Sequence, residues 1–293
     1  FSSLKNYTKK DIINNPSQFV NTSFIFSTWF MPSFKKEEIR ELFPNLKAVF
    51  YAAGSTEYFE KQFISQKVKI YSASKANAIP VAEFVLAQIL LSNKGYFQAL
   101  REYRKPFWKF SFQSARKYSI EKKGNFNAKI GIIGCGEIGS KVVSLLKNHE
   151  LDVYVCDPFI ADNQIKSLGA KRTDISNIFK NCDVISNHLP DIPETKGALD
   201  LKLFSKMKDN VTFINTGRGA QVVESDLLKI MRKKPNACAL LDVTDREPIW
   251  PWSPLLRSKN IFLTPHIAGS LSDEYTRMVK YMVKAYKNNL KGL

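Results

Sequence analysis

The second half of the chain contains three short runs whose side chains could perform acid–base chemistry. Arg218 stands in the run NTGRG, Asp242 and Glu247 in LDVTDREP, and His266 in TPHIAGS. Each run follows an apolar stretch typical of a buried strand, and ligands bind beyond the carboxyl ends of strands in open parallel sheets. A guanidinium can bind a carboxylate, an imidazolium can protonate a developing alkoxide, and a neighbouring carboxylate can fix the imidazole tautomer. Reduction of a 2-keto acid needs such a set.

A glycine-rich run, GCGEIG, begins at Gly134 directly after the apolar run KIGII. Gly134 permits a tight turn, Gly136 lets the backbone approach a pyrophosphate, and Gly139 lets the following helix pack on the strand. Asp157 follows 18 residues after Gly139, at the end of the next strand. A carboxylate there accepts hydrogen bonds from the adenosine ribose and repels a 2′-phosphate. The run therefore predicts a dinucleotide site that prefers NAD to NADP.

These runs need an α/β scaffold, and the apolar pattern predicts one in two parts. In the first part, Ser33 is expected to cap a helix that ends at Phe43, and Pro80 to open a long helix from Val81 to about Arg104. The stretch 105–127 shows little regular pattern and is interpreted as an extended arm. Strands are predicted at 23–27, 46–51, 67–71, 130–133, 152–156, 184–186, 211–214, 239–241 and 261–263, with a last helix at 273–290.

Five motifs in this order resemble the D-2-hydroxyacid dehydrogenase family. They are VAE at 81–83, the glycine run, NTGRG, LDV with EP, and TPHIAG, and the resemblance extends from about Ser27 to about Leu290. The resemblance implies an α/β fold of two Rossmann-like or flavodoxin-like parallel-sheet domains. A substrate domain would comprise 1–95 and 271–293, with a nucleotide-binding domain inserted at 96–270. The family's first strand is not found before Ser23, so we expect a leading segment, and no regulatory domain is expected.

By the same resemblance, Arg218 would bind substrate, Glu247 would orient His266, and His266 would be the acid/base. Asp242 would hold the nicotinamide carboxamide, and the backbone at Ala53 and Gly54 would bind the substrate carboxylate. Further cofactor contacts are expected at Glu137, Ile138, His188, Pro190, Thr195, Thr216 and Gly217. The expected activity is NAD-dependent interconversion of a small D-2-hydroxy acid and its 2-keto acid, without a metal. The alternative is an NAD-sensing, corepressor-like module without turnover.

The formal net charge of +17 raises the question of a polyanionic partner. The lysines are scattered and form no basic tail, so we interpret them as a solvated surface, and nucleic-acid binding is not expected. We find no apolar run of membrane-spanning length and no signal-peptide pattern, and the four cysteines lie in or beside apolar stretches without CxxC spacing. A cytoplasmic enzyme is expected. The resemblance implies a homodimer, with the aromatic arm at 107–110 contacting the partner.

Overall fold

The computed structural model describes residues 5–105 and 108–291, which form two compact units. The first unit comprises the described parts of Phe1–Ala78 and Ser270–Leu293, and the second comprises Ile79–Gly269. Both chain ends therefore contribute to one unit, and the middle of the chain is inserted between them. The contact boundary falls at Ala78, whereas the sequence analysis placed it after residue 95. Which ligand each unit binds stays a prediction.

The chain alternates helices and strands throughout. The strands are β1 Phe24–Ser27, β2 Ala48–Tyr51, β3 Lys69–Ser72, β4 Lys129–Ile133, β5 Asp152–Cys156, β6 Lys171–Arg172, β7 Val184–Asn187, β8 Thr212–Asn215, β9 Cys238–Leu241 and β10 Ile261–Leu263. The helices are α1 Lys9–Asn14, α2 Lys36–Leu42, α3 Glu60–Ile64, α4 Ser74–Asn93, α5 Tyr96–Tyr103, α6 Trp108–Ile120, α7 Glu137–Leu146, α8 Asp162–Ser167, α9 Ile175–Asn181, α10 Leu201–Phe204, α11 Glu224–Lys233, α12 Pro254–Arg257 and α13 Glu274–Lys291.

Both sheets are parallel, as predicted. The first unit has the order β1-β2-β3, and every residue of the central strand β2 is buried. The second unit has the order β10-β9-β8-β7-β4-β5-β6, the doubly wound arrangement of a Rossmann domain. All four residues of each of the strands β7, β8 and β9 are buried, including the polar residues at the carboxyl ends of β7 and β8. The α/β fold class is confirmed, and β6 is a short edge strand that the sequence analysis missed.

Three local predictions were wrong. Helix α2 begins at Lys36, with Lys35 as its N-cap, while the Ser33 carbonyl accepts a hydrogen bond from Lys9. Helix α4 begins at Ser74, so Pro80 lies inside the helix instead of opening it. The helix then ends before Gly95, whose φ of +67° belongs to the left-handed region.

The stretch that was predicted to be an extended arm is largely helical. Residues 108–120 form α6, which packs against α5 as a helical hairpin. A Cβ at Gly95 would lie 2.8 Å from the Tyr118 carbonyl oxygen, so the hairpin can close only over a glycine. The aromatic residues proposed for a partner contact, at 107–110, have side chains that lie outside the described residues.

Among the described residues, one helix is long and apolar enough to cross a membrane. This is α4, whose most apolar 18-residue window has a mean hydropathy of 1.2. Half of that window is buried, and Val85 and Ile89 pack into the core of the second unit. A buried core helix passes the same test of length and composition, so the observation is weak evidence for a span.

Candidate functional site

The glycine run forms the turn between β4 and α7, as the sequence predicted. Gly134 has a φ of +83°, and a Cβ there would lie 2.5 Å from the His188 carbonyl oxygen. A Cβ at Gly139 would lie 2.1 Å from the Gly134 carbonyl oxygen. Gly136, by contrast, has no atom within 4 Å of the position of a Cβ. The run therefore leaves open space beside the N-terminus of α7, where Glu137 and Ile138 occupy the first turn, and a pyrophosphate fits there.

Replacing Gly136 with alanine should separate cofactor binding from stability. The φ of −72° suits alanine and the added methyl meets no protein atom, so the thermal midpoint should stay unchanged or rise slightly. The same methyl would occupy the space beside the helix N-terminus. We expect the Kd for NADH to rise about tenfold or more, a loss of about 1.4 kcal/mol. Calorimetric titration and thermal unfolding of the same sample would measure both; a lowered midpoint with unchanged Kd would contradict the assignment.

Asp157 lies at the end of β5 and holds the glycine run in place. Its carboxylate accepts hydrogen bonds from the backbone N–H groups of Cys135 at 2.7 Å, Phe159 at 2.8 Å and Ile160 at 3.1 Å. Burial acts to raise the pKa of this carboxyl, but the three hydrogen bonds and the nearby charge of Arg172 lower it below its usual value. A carboxylate can accept about four hydrogen bonds, so one position remains for a ribose hydroxyl.

Arg172 lies beside Asp157, and its positive charge would remain after a substitution of Asp157. Its guanidinium donates to the backbone carbonyls of Asp157 and Ile160 and pairs with Asp162. In Asp157→Ala or Asp157→Asn the negative charge that repels a 2′-phosphate is gone while this cation remains. We expect weaker NADH binding and a smaller preference for NADH over NADPH, measured as the ratio of the two Kd values. The asparagine variant keeps the side-chain shape, so an unchanged ratio in it would show that the charge does not discriminate.

The loop after β7 contains His188, Pro190 and Thr195. The Thr195 hydroxyl donates to the Pro190 carbonyl at 2.7 Å and lies 2.9 Å from the Ile192 carbonyl oxygen, so it closes the loop on itself. The His188 ring is buried, with Nε2 2.9 Å from the Ser186 hydroxyl and Nδ1 without a partner in the described structure. The cofactor contacts of His188, Pro190 and Thr195 stay predictions. The described hydrogen bonds of Thr195 stabilise its own loop.

Burial lowers the pKa of His188 to about 4. An unfolded histidine has a pKa of about 6.5. Between about pH 6.5 and pH 4, therefore, this histidine is protonated in the unfolded chain but neutral in the folded chain. The stability contributed by neutral His188 is complete above pH 6.5 and is lost as the pH falls towards 4. Between pH 7 and pH 5 the free energy of unfolding should fall by about 2 kcal/mol from this residue. Denaturant unfolding of His188→Gln should show a flatter pH dependence, and His149→Gln is the matched control; equal slopes in the two variants would contradict the prediction.

A buried amide network positions the loop that carries Arg218. Asn187 donates to Asn215 at 3.0 Å and to Gln221 at 2.6 Å, and all three side chains are almost fully buried. The Asn215 Oδ1 atom accepts from the Gly217 N–H at 3.1 Å, and its Nδ2 donates to the Arg218 carbonyl at 3.2 Å. The sequence analysis missed Asn187 and Gln221, although polar residues at the end of an apolar strand were a usable signal. This network holds the backbone on both sides of Thr216, a predicted cofactor contact whose buried hydroxyl has no described partner.

Arg218 itself has a half-exposed side chain. Its guanidinium donates to the Gly217 carbonyl at 2.8 Å and lies 3.4 Å from the Asp191 carboxylate, which is also exposed. An exposed ion pair of this kind contributes little to stability and is easily exchanged for another anion. Arg218 is therefore available to a substrate carboxylate.

The loop of Arg218 lies directly against the loop of Glu247. A Cβ at Gly219 would lie 1.8 Å from the backbone carbon of Thr244 and 2.2 Å from the nitrogen of Asp245. The structure thus brings the arginine run and the glutamate run together at the carboxyl ends of β8 and β9, as expected from the position of each run directly after a strand. Only a glycine permits this approach.

His266 and Glu247, which were predicted to act as an acid–base pair, are in contact. His266 Nδ1 donates to the Glu247 Oε2 atom at 2.7 Å, and both side chains are about half exposed. Glu247 Oε1 accepts from the Thr244 N–H at 3.2 Å, which fixes the carboxylate on its loop. With Nδ1 bound to the carboxylate, Nε2 is the nitrogen left to exchange a proton with a ligand.

Asp242 stabilises the loop on which His266 adopts a backbone conformation that is uncommon for residues other than glycine. His266 has a φ of +54°, in the left-handed region. The buried Asp242 carboxylate accepts from the Thr264 hydroxyl at 2.5 Å and from the N–H groups of Ile267 and Ala268 at 2.9 Å. Three of its hydrogen-bonding positions therefore serve the histidine loop. Its predicted contact with a nicotinamide carboxamide stays a prediction.

In the first unit, Ala53 and Gly54 follow β2 at its carboxyl end. The Ser72 hydroxyl donates to the Gly54 carbonyl at 2.5 Å and lies 3.1 Å from the Ala53 carbonyl oxygen. Within the described residues no acceptor is found for their backbone N–H groups, and two adjacent free N–H groups suit a carboxylate. Trp29 packs edge-on against Tyr275 with ring centroids 5.4 Å apart.

Comparison with known proteins agrees with this arrangement. Residues 86–268, which lie inside the second unit, match the family model of the D-isomer specific 2-hydroxyacid dehydrogenase, NAD binding domain. The D-lactate dehydrogenase of Aquifex aeolicus, solved with NAD and lactic acid, has a TM-score of 0.73 at 24% identity, over 94% of this chain and 85% of that one. The D-mandelate dehydrogenase of Rhodotorula graminis has a TM-score of 0.79 at 19% identity, over 94% and 82%. These two likenesses show the fold.

Among sequence relatives, the D-3-phosphoglycerate dehydrogenase of Archaeoglobus fulgidus is 30% identical over 87% of this chain and 47% of its own length. The glyoxylate reductase of Korarchaeum cryptofilum is 26% identical over 84% of this chain and 74% of its own. The chain spans about half the length of the phosphoglycerate dehydrogenases that it matches. Since the family model covers more than half of the chain, the protein belongs to the D-isomer specific 2-hydroxyacid dehydrogenase family and contains its NAD binding domain.

Proposed function

We propose that this protein is an oxidoreductase that interconverts a small D-2-hydroxy acid and its 2-keto acid with NAD as the cofactor. The observation that carries the proposal is the 2.7 Å contact between His266 and Glu247, with His266 on a loop that Asp242 stabilises through hydrogen bonds. A family member without chemistry to perform has no need of this pair. Arg218, on a loop in direct contact with that of Glu247, supplies the matching cation.

Each of these side chains has a defined task in keto-acid reduction. The nicotinamide of NADH, when bound, supplies the hydride that adds to C2 of the keto acid. The Arg218 guanidinium binds the substrate carboxylate and polarises the C2 carbonyl. His266 Nε2 donates a proton to the C2 oxygen as negative charge develops there, and Glu247 keeps Nδ1 protonated and the ring oriented. In the oxidative direction the same imidazole removes the hydroxyl proton.

The remaining predicted site residues serve binding. Gly134, Gly136 and Gly139 leave room for the pyrophosphate at the N-terminus of α7, and Asp157 accepts from the ribose. The free N–H groups of Ala53 and Gly54 bind the substrate carboxylate. The aromatic pair of Trp29 and Tyr275 favours a small apolar or hydroxylated side chain on the substrate.

The decisive test is oxidation of NADH at neutral pH with a panel of 2-keto acids: glyoxylate, pyruvate, hydroxypyruvate, phosphohydroxypyruvate and longer homologues. NADPH is run in parallel. We expect turnover of at least one acid, faster with NADH. NADH binding without turnover of any member would instead favour the NAD-sensing, corepressor-like module.

We further propose that the protein is a cytoplasmic homodimer. The four cysteines are free, which suits a reducing compartment, and the resemblance to this family supports the dimer. Sedimentation at micromolar concentration tests the assembly, and a monomer would refute it.

A further inference from the structure

A small cavity in the second unit lies at the opposite edge of the sheet from the predicted reacting residues. It has a volume of about 270 Å³ and is lined by the end of α4, the residues that follow α6, and the turns that precede β4, β7 and β8. None of the predicted site residues lines it. The cavity is smaller than pockets that hold drug-sized molecules, so it suits an ion or a very small molecule.

The cavity is separate from the partner contact proposed above. The aromatic residues of that contact, at 107–110, come at the beginning of α6 in the sequence, whereas Lys122 follows the end of this helix. A helix rises 1.5 Å per residue, so the two places are about 15 Å apart along its axis. The features that indicate a ligand here are buried or unpaired polar groups, and they do not depend on how exposed the surface is.

One cation of the cavity has no carboxylate to match it. The partly buried Lys122 donates to the Asn210 carbonyl, and among the described residues no carboxylate lies within ion-pairing distance of its Nζ atom. An ammonium has three N–H donors, so two are left for another acceptor. Burial lowers the pKa of Lys122, as expected for a charge that the protein compensates poorly. A buried charge is costly unless an opposite charge accompanies it, so this position favours an anion.

The carboxylates of the cavity already have cations as partners. Asp183 accepts from Lys208 at 2.7 Å and lies 3.5 Å from Lys123. Glu121 is exposed and pairs with Lys117 at 3.7 Å. Two lysines of the cavity therefore share a single carboxylate, and both keep N–H donors for a second acceptor. Together with the unmatched cation, they give the cavity three ammonium groups.

A buried acceptor without a donor lines the same cavity. The Asn93 side chain is 2% exposed, and its Nδ2 atom donates to Asn125 Oδ1 at 3.0 Å. The Asn125 Nδ2 atom in turn donates to the Leu90 carbonyl at 3.3 Å, so this chain of hydrogen bonds fixes which way the Asn93 amide points. The Asn93 Oδ1 atom has no partner among the described residues. A buried acceptor is costly to leave unpaired, and a ligand with an O–H group would satisfy it.

We propose that this cavity binds inorganic phosphate. At neutral pH phosphate keeps at least one O–H group, and its other oxygens are strong acceptors. The O–H group donates to Asn93 Oδ1, while the anionic oxygens accept charge-assisted hydrogen bonds from Lys122 and from Lys123 or Lys208. The site does not depend on the proposed reaction. The sequence analysis interpreted the lysines as a solvated surface and did not expect it.

Calorimetric titration of the 293-residue chain with sodium phosphate at neutral pH, with the ionic strength kept constant by sodium chloride, tests the proposal. Lys122→Met replaces the ammonium with an apolar group of similar length, and the Kd for phosphate should rise at least about tenfold. Without phosphate this variant should be at least as stable to heat as the wild type, because an uncompensated charge is removed. Lys166→Met, on the exposed surface of α8, is the matched control and should bind phosphate like the wild type.

Two further comparisons identify the site and the ligand. The double variant Gly136→Ala/Arg218→Met removes the anion sites of the proposed reaction, and it should keep its affinity for phosphate. Sulfate has no O–H group at neutral pH, so Asn93 Oδ1 would stay unpaired, and sulfate should bind about tenfold more weakly. The proposal would be overturned by no binding up to about 10 mM phosphate, by equal Kd values for the two lysine variants, by loss of binding in the double variant, or by equal affinity for sulfate.

Discussion

His266→Ala should lower kcat for the preferred keto acid by about 10²–10⁴-fold, because positioned general acids contribute about that factor. The affinity for NADH should stay close to that of the wild type, since the glycine run and Asp157 make contacts in other loops. The pH dependence of kcat should also lose the limb that reports the imidazole. Stopped-flow or steady-state turnover, together with NADH titration, measures all three quantities.

Two companion variants make the result specific to the pair. Glu247→Gln keeps a side chain that can remain on the Thr244 N–H but removes the charge that orients the imidazole, so a loss of about 10–100-fold is expected. His149→Ala removes a histidine from the turn after α7 and should leave turnover unchanged. Turnover by His266→Ala near the wild-type rate would refute the acid–base assignment, whereas failure of all three variants to bind NADH would indicate a folding defect.

The elements of the dinucleotide domain could be predicted because their local signals agree with their tertiary setting. The runs Ile261–Leu263 and Asp152–Cys156 were predicted at their observed bounds, because both are rich in the β-branched and aromatic residues that favour strands. The glycine run was equally informative, because Gly134 and Gly139 have close backbone neighbours that exclude any other residue.

The wrong predictions have a common physical origin in tertiary contacts. Pro80 is tolerated inside α4, where local propensity alone would end or begin a helix. Residues 108–120 lack a clear pattern, but the close packing of their helix over Gly95 stabilises it. Lys35 rather than Ser33 caps α2 because Glu38 accepts its N–H at 2.6 Å and binds Lys9 at 2.9 Å.

The candidate site, too, could be predicted only in part. Arg218, Glu247 and His266 could be identified from short runs of sequence, but the residues that position them could not. Asn187 and Gln221 support the arginine loop from strands and turns that are distant in sequence. The contact of Asp242 with the cofactor stays a prediction, whereas its three hydrogen bonds to the histidine loop were not predicted. Such positioning contacts cannot be predicted from the sequence, because they depend on which loops lie next to one another in the folded chain.

The close contact between the arginine loop and the glutamate loop makes Gly219 a position where substitution should have a large effect. In Gly219→Ala the new methyl would lie 1.8 Å from the Thr244 carbonyl carbon, so the two loops must separate by more than 1 Å. The obstacle is backbone, so no rotamer change can relieve it. Overpacking of this kind costs about 1–3 kcal/mol of unfolding free energy, and a misplacement of about 1 Å in a catalytic array costs about 100-fold in rate.

We therefore expect Gly219→Ala to lower kcat/KM about 100-fold and the thermal midpoint by roughly 5 °C. Gly136→Ala is the matched substitution for stability, because the same methyl meets no atom there. A Gly219→Ala protein that unfolds and turns over like the wild type would show that the arginine and glutamate loops act independently. A loss of rate in the folded variant would instead establish that the distance between these two loops sets the geometry of Arg218 relative to the His266–Glu247 pair.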